Sequence, residues 1–299
     1  SLTYHSSPLS YSTVSVPTPF GAGWTHPFNQ VMKRIPDSSP SRLYHYTSDG
    51  REFEYTLNGA VWNASLPAEL RGSVSQDTTN HHFVLTDLDG TVTRFFDDLA
   101  VAGPEGGWVS TTDRWGNAIT GVYSGGNLVT VVDTENRSIA LDYTSGVVTS
   151  ISIPEAPLPR VWRFSYDTGS TLLFGIADPL RTTTDWRSFG YDGGNRLLSV
   201  KDDASKTLEG HTYDTLGRGV TSYSEGGNSS FVKVEYDTPV PSQTTVTHRI
   251  DQSTNQVSVF SLLYQGDRWR GQNLLRQFLL AHHRPTPNGK PMVAPITCG

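Results

Sequence analysis

Hydrophobic and polar residues alternate over short segments along most of the chain. Residues 127–133 read Asn-Leu-Val-Thr-Val-Val-Asp, for example. A period of two is typical of a half-buried β-strand, and it predicts Leu128, Thr130 and Val132 on one face of such a strand. No segment approaches the ~18 consecutive apolar residues that a membrane-spanning helix needs. The pattern therefore predicts an all-β protein made of short strands.

Turns of one recurring type separate the predicted strands. An Asp is followed three residues later by Gly or Asn and then by Arg, as in Asp133–Arg137 and Asp192–Arg196. The Asp side chain can accept hydrogen bonds from backbone amides ahead of it, and Gly or Asn tolerates a positive φ. The Arg stands where the chain leaves the turn, so we expect it to reach back to the Asp. Each strand, turn and strand is predicted to form a hairpin.

The hairpins repeat with a regular interval. Tyrosines spaced by 23, 25, 22 and 23 residues mark the repeat, and all except the first are followed by Asp. The predicted structural repeat positions are Tyr143, Tyr166, Asp167, Tyr191, Asp192, Arg196, Tyr213, Asp214, Gly217, Arg218, Tyr236 and Asp237. A period in this range indicates a repeated supersecondary unit. Because one hairpin cannot bury its own apolar face, the units are expected to stack into one long antiparallel sheet.

The repeat resembles that of the RHS/YD-repeat family, in particular the N-terminal part of a bacterial RHS repeat array. Residues 178–200 and 213–218 carry this resemblance, and residues 2–6, 21–25 and 113–117 are similar to the segment that leads into such arrays. It implies a curled or spiralling β-sheet that forms part of a shell. In relatives the shell encloses a C-terminal toxin or supports cell-surface interaction. It also implies a secreted or cell-surface location, with the rest of a larger RHS polypeptide or an enclosed toxin segment as partner.

Three segments are predicted. Residues 1–110 form a leader β segment, residues 111–260 form the hairpin repeats, and residues 261–299 form a non-repeat tail. The tail carries five basic residues and one acidic residue, so the rest of the chain has a net charge of −10 within the total of −6. An acidic body of this kind disfavours nucleic-acid binding. In the tail, residues 267–280 can form a short helix that covers a sheet edge.

Residues that could carry chemistry are few. The single Cys excludes an internal disulfide and a cysteine-built zinc site, and no catalytic motif for hydrolysis or phosphate binding is present. Adjacent acids such as Asp97-Asp98 and Asp202-Asp203 are expected to be turn residues. No metal, cofactor or catalytic residue is predicted. The Asp178-Pro179-Leu180 run is interpreted as a turn and not as a self-cleavage motif.

Two alternatives to a structural scaffold stay open. The first is a surface module that binds glycans or a partner cell through exposed aromatics, with Trp108, Trp115, Trp162 and Trp186 as candidates. The second is a glycan-acting enzyme, which would need two carboxylates across a cleft. A groove lined by exposed aromatics would favour the binding module. Converging carboxylates would favour the enzyme.

Overall fold

The computed structural model describes a protein made of β-strands and turns. The described residues are 2–4, 10–11, 14–15, 18–35, 41–66, 72–97, 103–154, 158–180, 185–224, 230–236, 243–251 and 256–263. Within these ranges the regular elements are strands, and no helix occurs. The all-β prediction is therefore confirmed. Asp237 and the predicted helix within 261–299 lie outside the described residues.

The strands are short, as the alternation predicts. The first ten are β1 (Thr3–Tyr4), β2 (Ser10–Tyr11), β3 (Val14–Ser15), β4 (Trp24–Thr25), β5 (Val31–Ile35), β6 (Arg42–Tyr46), β7 (Glu52–Asn58), β8 (Val61–Leu66), β9 (Ser73–Asp77) and β10 (His82–Thr86). The next eight are β11 (Val92–Phe96), β12 (Trp108–Thr112), β13 (Ala118–Ser124), β14 (Asn127–Asp133), β15 (Ser138–Thr144), β16 (Val147–Ile153), β17 (Arg160–Tyr166) and β18 (Leu173–Ala177). The last seven are β19 (Arg187–Tyr191), β20 (Leu197–Asp202), β21 (Thr207–Tyr213), β22 (Gly219–Ser224), β23 (Ser230–Tyr236), β24 (Gln243–Asp251) and β25 (Gln256–Leu263).

Within each compact unit of the chain, successive strands from β5 onward pair antiparallel. The chain divides into two compact units, residues 1–210 and 211–299. In the first unit the ladder runs from β5 through every successive strand to β21. In the second unit, β22 to β25 pair in the same way. The predicted long antiparallel sheet is therefore present, and it runs without a break across position 110.

A β-bulge interrupts the predicted alternation in every repeat hairpin of the first unit. In β14 the register shifts so that Tyr123 lies opposite Leu128 while Val122 lies opposite Thr130, which leaves Val129 as the extra residue. An extra residue moves the following side chains to the other face of the sheet. Leu128 and Val131 are therefore the buried residues of β14. The prediction that Thr130 and Val132 share a face with Leu128 is wrong for this reason.

The same shift recurs in β16, β18 and β20. In each of these hairpins the extra residue lies in the second strand. It stands opposite the step that leads to Tyr143, Tyr166 or Tyr191 in the first strand. The buried face then takes apolar residues at positions i and i+3 of the bulged strand, which are Leu128/Val131, Val148/Ile151, Leu173/Ile176 and Leu197/Val200. The bulge is thus a fixed part of the repeat.

Two aromatic-rich cores cover the buried face of the first unit. The first core includes Trp62, Phe83, Phe95 and Trp108 on strands between β5 and β14. The second core lies on β15 to β20, and its members are Phe20, Trp24, Leu141, Val148, Phe164, Leu173, Phe189 and Leu197. Phe20 and Trp24 do not belong to the repeat strands. They come from residues 18–30, which we call the leader strap.

Candidate functional site: the tyrosine rim and the leader strap

The Asp turns of the repeats form as the sequence predicts. In the turn after β14, the Asp133 carboxylate accepts hydrogen bonds from the backbone amides of Glu135 and Arg137, both at 2.9 Å. The Arg137 Nε donates to the other carboxylate oxygen at 2.7 Å, and this bond lowers the pKa of Asp133. Asn136 has φ +58°. The turns at Asp192–Arg196 and Asp214–Arg218 show the same Arg-to-Asp bond, also at 2.7 Å.

The repeat tyrosines tie each hairpin to the one before it. The hydroxyl of Tyr143 donates to the carbonyl oxygen of Leu128 at 3.0 Å. Equivalent bonds run from Tyr166 to Val148 at 2.6 Å, from Tyr191 to Leu173 at 2.7 Å and from Tyr236 to Gly219 at 3.0 Å. Each acceptor stands at the beginning of the second strand of the preceding hairpin.

Tyr123 belongs to this series although the repeat pattern did not include it. Its hydroxyl donates to the Trp108 carbonyl, and it follows the same bulge. Its position 20 residues before Tyr143 is the signal that could have identified it. Two of the remaining predicted positions lie in turns: Gly217 has φ +80°, and the Asp167 carboxylate accepts from the Thr168 amide. Tyr213 is the last residue of β21.

We call the edge formed by Tyr123, Tyr143, Tyr166 and Tyr191 the tyrosine rim. Burial raises the pKa of Tyr143 and Tyr191 to about 12. It also raises the pKa of Tyr123 and Tyr166. The hydroxyls therefore keep their protons at neutral pH and act as hydrogen-bond donors.

The leader strap lies along the tyrosine rim and hydrogen-bonds to it. At the bulge of β16, the Val148 amide donates to the carbonyl oxygen of Pro19 at 2.7 Å. Beside β18, a Cβ on Gly21 would lie 1.9 Å from the carbonyl oxygen of Thr171, so only glycine fits there. Gly21 also has φ +88°, a conformation that glycine adopts without strain.

The strap reaches the last bulge of the rim through Trp24 and the neighbouring strand β1. The Trp24 Nε1 donates to the Tyr191 hydroxyl at 2.8 Å. At the bulge of β20, the Leu197 amide donates to the Tyr4 hydroxyl at 2.8 Å. Tyr4 pairs with Trp24 in the two-stranded sheet of β1 and β4. The leader strap and Tyr4 thus accept hydrogen bonds from backbone amides at two bulges, and Phe20 and Trp24 are buried against the repeats.

A cavity of about 440 Å³ lies at the remaining bulge of the rim, the one between Tyr123 and Leu128. Both ends of the leader strap border it, together with the turns after β13 and β15. Its lining is formed by Thr18, Pro19, His26, Phe28, Asn29, Gln30, Val31, Lys33, Pro104, Glu105, Gly107, Trp108, Tyr123, Gly126, Asn127, Leu128, Tyr143, Ser145, Gly146, Val147 and Thr171. Lys33 and Glu105 are 3.6 Å apart and offset each other's charge. The lining is therefore aromatic, amide-rich and close to neutral.

His26 is the buried titratable group of this cavity. Its side chain is 9% exposed and contacts the rings of Phe20 and Phe28, at centroid distances of 5.6 and 6.1 Å. Burial lowers the pKa of His26 to about 4, so the ring is neutral at pH 7. A neutral imidazole offers one donor and one acceptor. The ring forms no hydrogen bond with another described residue.

The tryptophans predicted to bind at the surface divide into two groups. Trp108 is 1% exposed, so it is not a surface residue: it stacks near Phe28 at 4.8 Å, and its Nε1 donates to Thr111. Trp162 is half-buried against the second core. Trp115 and Trp186 are 73% and 37% exposed, each with an arginine over its ring, at 4.1 and 4.0 Å.

The acidic residues considered for catalysis have structural partners. Asp97 is fully buried and accepts from the Gln76 side chain at 3.0 Å, with His81 3.7 Å away. The Asp202 carboxylate accepts from two amides of its own turn. Leu180 donates to Asp178 at 2.6 Å, which confirms the turn predicted there. Among the residues that the structure describes, no cluster of three His, Cys, Asp or Glu could hold a metal ion.

Comparisons with known proteins identify no family. No family model matches the chain, and no curated protein matches it. Among solved structures, the chain is similar to a porin-like protein from Bacteroides uniformis at 14% identity and a TM-score of 0.27. That match covers 79% of this chain and 95% of the other. Over the described part of the chain, no helix has the length and apolar character needed to cross a membrane.

Proposed function

We propose that this chain is a scaffold: a wall segment of an RHS-type β-shell whose buried face holds polypeptide and performs no reaction. The observation that carries the proposal is the leader strap. Residues 18–30 are held along the tyrosine rim by aromatic burial, by the backbone bond from Val148 to Pro19 and by the bond from Trp24 to the Tyr191 hydroxyl. A surface that binds a non-repeat segment in this way suits a shell around a polypeptide.

The repeat chemistry supports the same function. The repeat tyrosines and the Asp of each repeat turn act within the sheet, as donors to a neighbouring hairpin or as turn acceptors. Such groups stabilise a wall. Three parts of the proposal rest on the resemblance to RHS repeats: the shell, the secreted or cell-surface location and the enclosed toxin segment.

Surface binding is the second candidate, because Trp115 and Trp186 are exposed with arginines stacked on them. A glycan array separates the two functions. The scaffold predicts that the chain and its Trp115→Ala/Trp186→Ala double variant give the same signal, at the level of a control protein. Glycan binding that the double variant loses would favour the binding module.

Catalysis is tested on a panel of polysaccharides and glycosides. The scaffold predicts no turnover above the buffer rate. Asp49 and Asp87 line a second cavity of about 310 Å³, so they are the carboxylates to change. Reproducible turnover that Asp49→Asn or Asp87→Asn abolishes, in a variant with an unchanged melting temperature, would contradict the scaffold.

A further inference from the structure

The four bulges of the tyrosine rim are equivalent positions, and polypeptide covers three of them. Pro19 lies at Val148, Gly21 at Leu173, and Tyr4 with Trp24 at Leu197. The fourth position, at Leu128, opens into the 440 Å³ cavity. The same repeat elements build all four positions, so the same chemistry that binds the strap is present at the fourth.

The cavity adds groups that fit a peptide unit. A neutral His26 offers one donor and one acceptor, which match the carbonyl oxygen and the amide of one peptide group. The rings of Phe28, Tyr123 and Tyr143 provide apolar walls, and the Lys33–Glu105 pair leaves little net charge to attract an ion. An uncharged ligand with alternating apolar and amide groups fits this lining.

We propose that the cavity at Leu128 is a docking site for a second polypeptide segment, uncharged and bearing proline and aromatic side chains like residues 18–24. The site continues the surface that holds the leader strap, so the occupant follows the same row of bulges. The proposal rests on the scaffold function, and it names the class of polypeptide that the scaffold binds.

The test uses the full chain and a fluorescein-labelled peptide Pro-Thr-Pro-Phe-Gly-Ala-Gly-Trp, the sequence of residues 17–24. Fluorescence anisotropy is expected to show saturable binding. A peptide with Glu in place of Phe is expected to bind at least tenfold more weakly. Asn127→Trp fills the cavity from β14, and His26→Phe removes the hydrogen-bonding atoms while keeping an aromatic ring. Each variant is expected to weaken binding at least tenfold without a change in melting temperature.

Val122→Trp is the matched control, because Val122 is 48% exposed and lies outside the cavity lining. It is expected to bind the peptide like the unaltered chain. Absence of saturable binding, or equal binding by Asn127→Trp, would overturn the proposal. So would binding of neutral monosaccharides that Asn127→Trp abolishes, because the site would then be a sugar site. Absence of peptide binding leaves the scaffold function standing, because that function is tested separately by carbohydrate turnover, by glycan binding and by the contacts of the leader strap with the tyrosine rim.

Discussion

At the scale of single residues, the repeat tyrosines connect neighbouring hairpins through their hydroxyl groups. Each tyrosine of the rim buries its ring beside a bulge and donates its hydroxyl proton to a carbonyl of the previous hairpin or strand, as Tyr166 does to Val148. The spacing of tyrosines was visible in the sequence, and so was the reach of Arg137 to Asp133. The tyrosine's acceptor was not, because it lies 15 to 18 residues earlier on a strand whose register depends on the bulge.

Tyr166→Phe tests the connector role. Loss of the hydroxyl leaves the Val148 carbonyl without this donor, and a lost buried hydrogen bond costs about 1 kcal/mol, up to ~3 where the partner stays unsatisfied. We expect the free energy of unfolding in urea to fall by about that amount. Tyr223→Phe is the control, because its hydroxyl bonds to no described residue. An equal loss in both variants would contradict the connector role.

His26 makes the first unit sensitive to acid. Its pKa is about 4 in the folded chain and near 6.5 when unfolded, so the unfolded chain binds the extra proton between these values. Stability that is present above pH 6.5 should therefore be lost as the pH falls toward 4. We expect the urea midpoint to drop over this window, and His26→Phe to flatten the drop. An unchanged slope in that variant would assign the acid sensitivity to other groups.

At the scale of elements, the hairpin is the unit that the sequence predicted best. Strand alternation, Asp turns and the repeat interval all follow from local chemistry, and the structure has each of them. Which face of the sheet each side chain occupies was harder to predict, because one extra residue such as Val129 moves the following side chains to the other face. The recurring apolar pair at i and i+3, as in Leu128 and Val131, is the sequence pattern that indicates the bulge.

Close packing around Gly121, beside the bulge of β14, predicts that an added methyl group destabilises the hairpin. A Cβ on Gly121 would lie 2.8 Å from Leu128 Cδ1 and 2.9 Å from a ring carbon of the buried Trp108. Overpacking of this kind typically costs 1–3 kcal/mol, and we expect about that loss for Gly121→Ala by urea unfolding. Gly193→Ala, where nothing lies within 4 Å of the added Cβ, should change stability by less than about 0.5 kcal/mol. Equal effects would contradict the packing described for β13 and β14.

At the scale of the whole chain, the leader strap belongs to the first unit, whereas the second unit shows the repeat contacts. In the first, residues 18–30 run across repeats that lie more than 100 residues away in sequence, so alternation and turn signals could not predict this contact. The irregular Pro- and Gly-containing loop around Phe20 and Trp24 was visible, but its docking depends on bulges in distant strands. In the second unit, Arg218 lies 4.0 Å over the ring of Tyr236, and the tyrosine bond recurs.

The central claim is that the tyrosine rim holds the leader strap, and NMR-detected amide exchange of Val148 and Leu197 tests it most directly. Both amides donate to the strap or to the adjoining Tyr4, so they should exchange slowly in the unaltered chain. Gly21→Ala forces a Cβ against the Thr171 carbonyl, and it should speed exchange of both amides at least tenfold while Val84, within the ladder of β9 to β11, stays protected. Equal exchange of Val148 and Leu197 in the two chains would contradict the account.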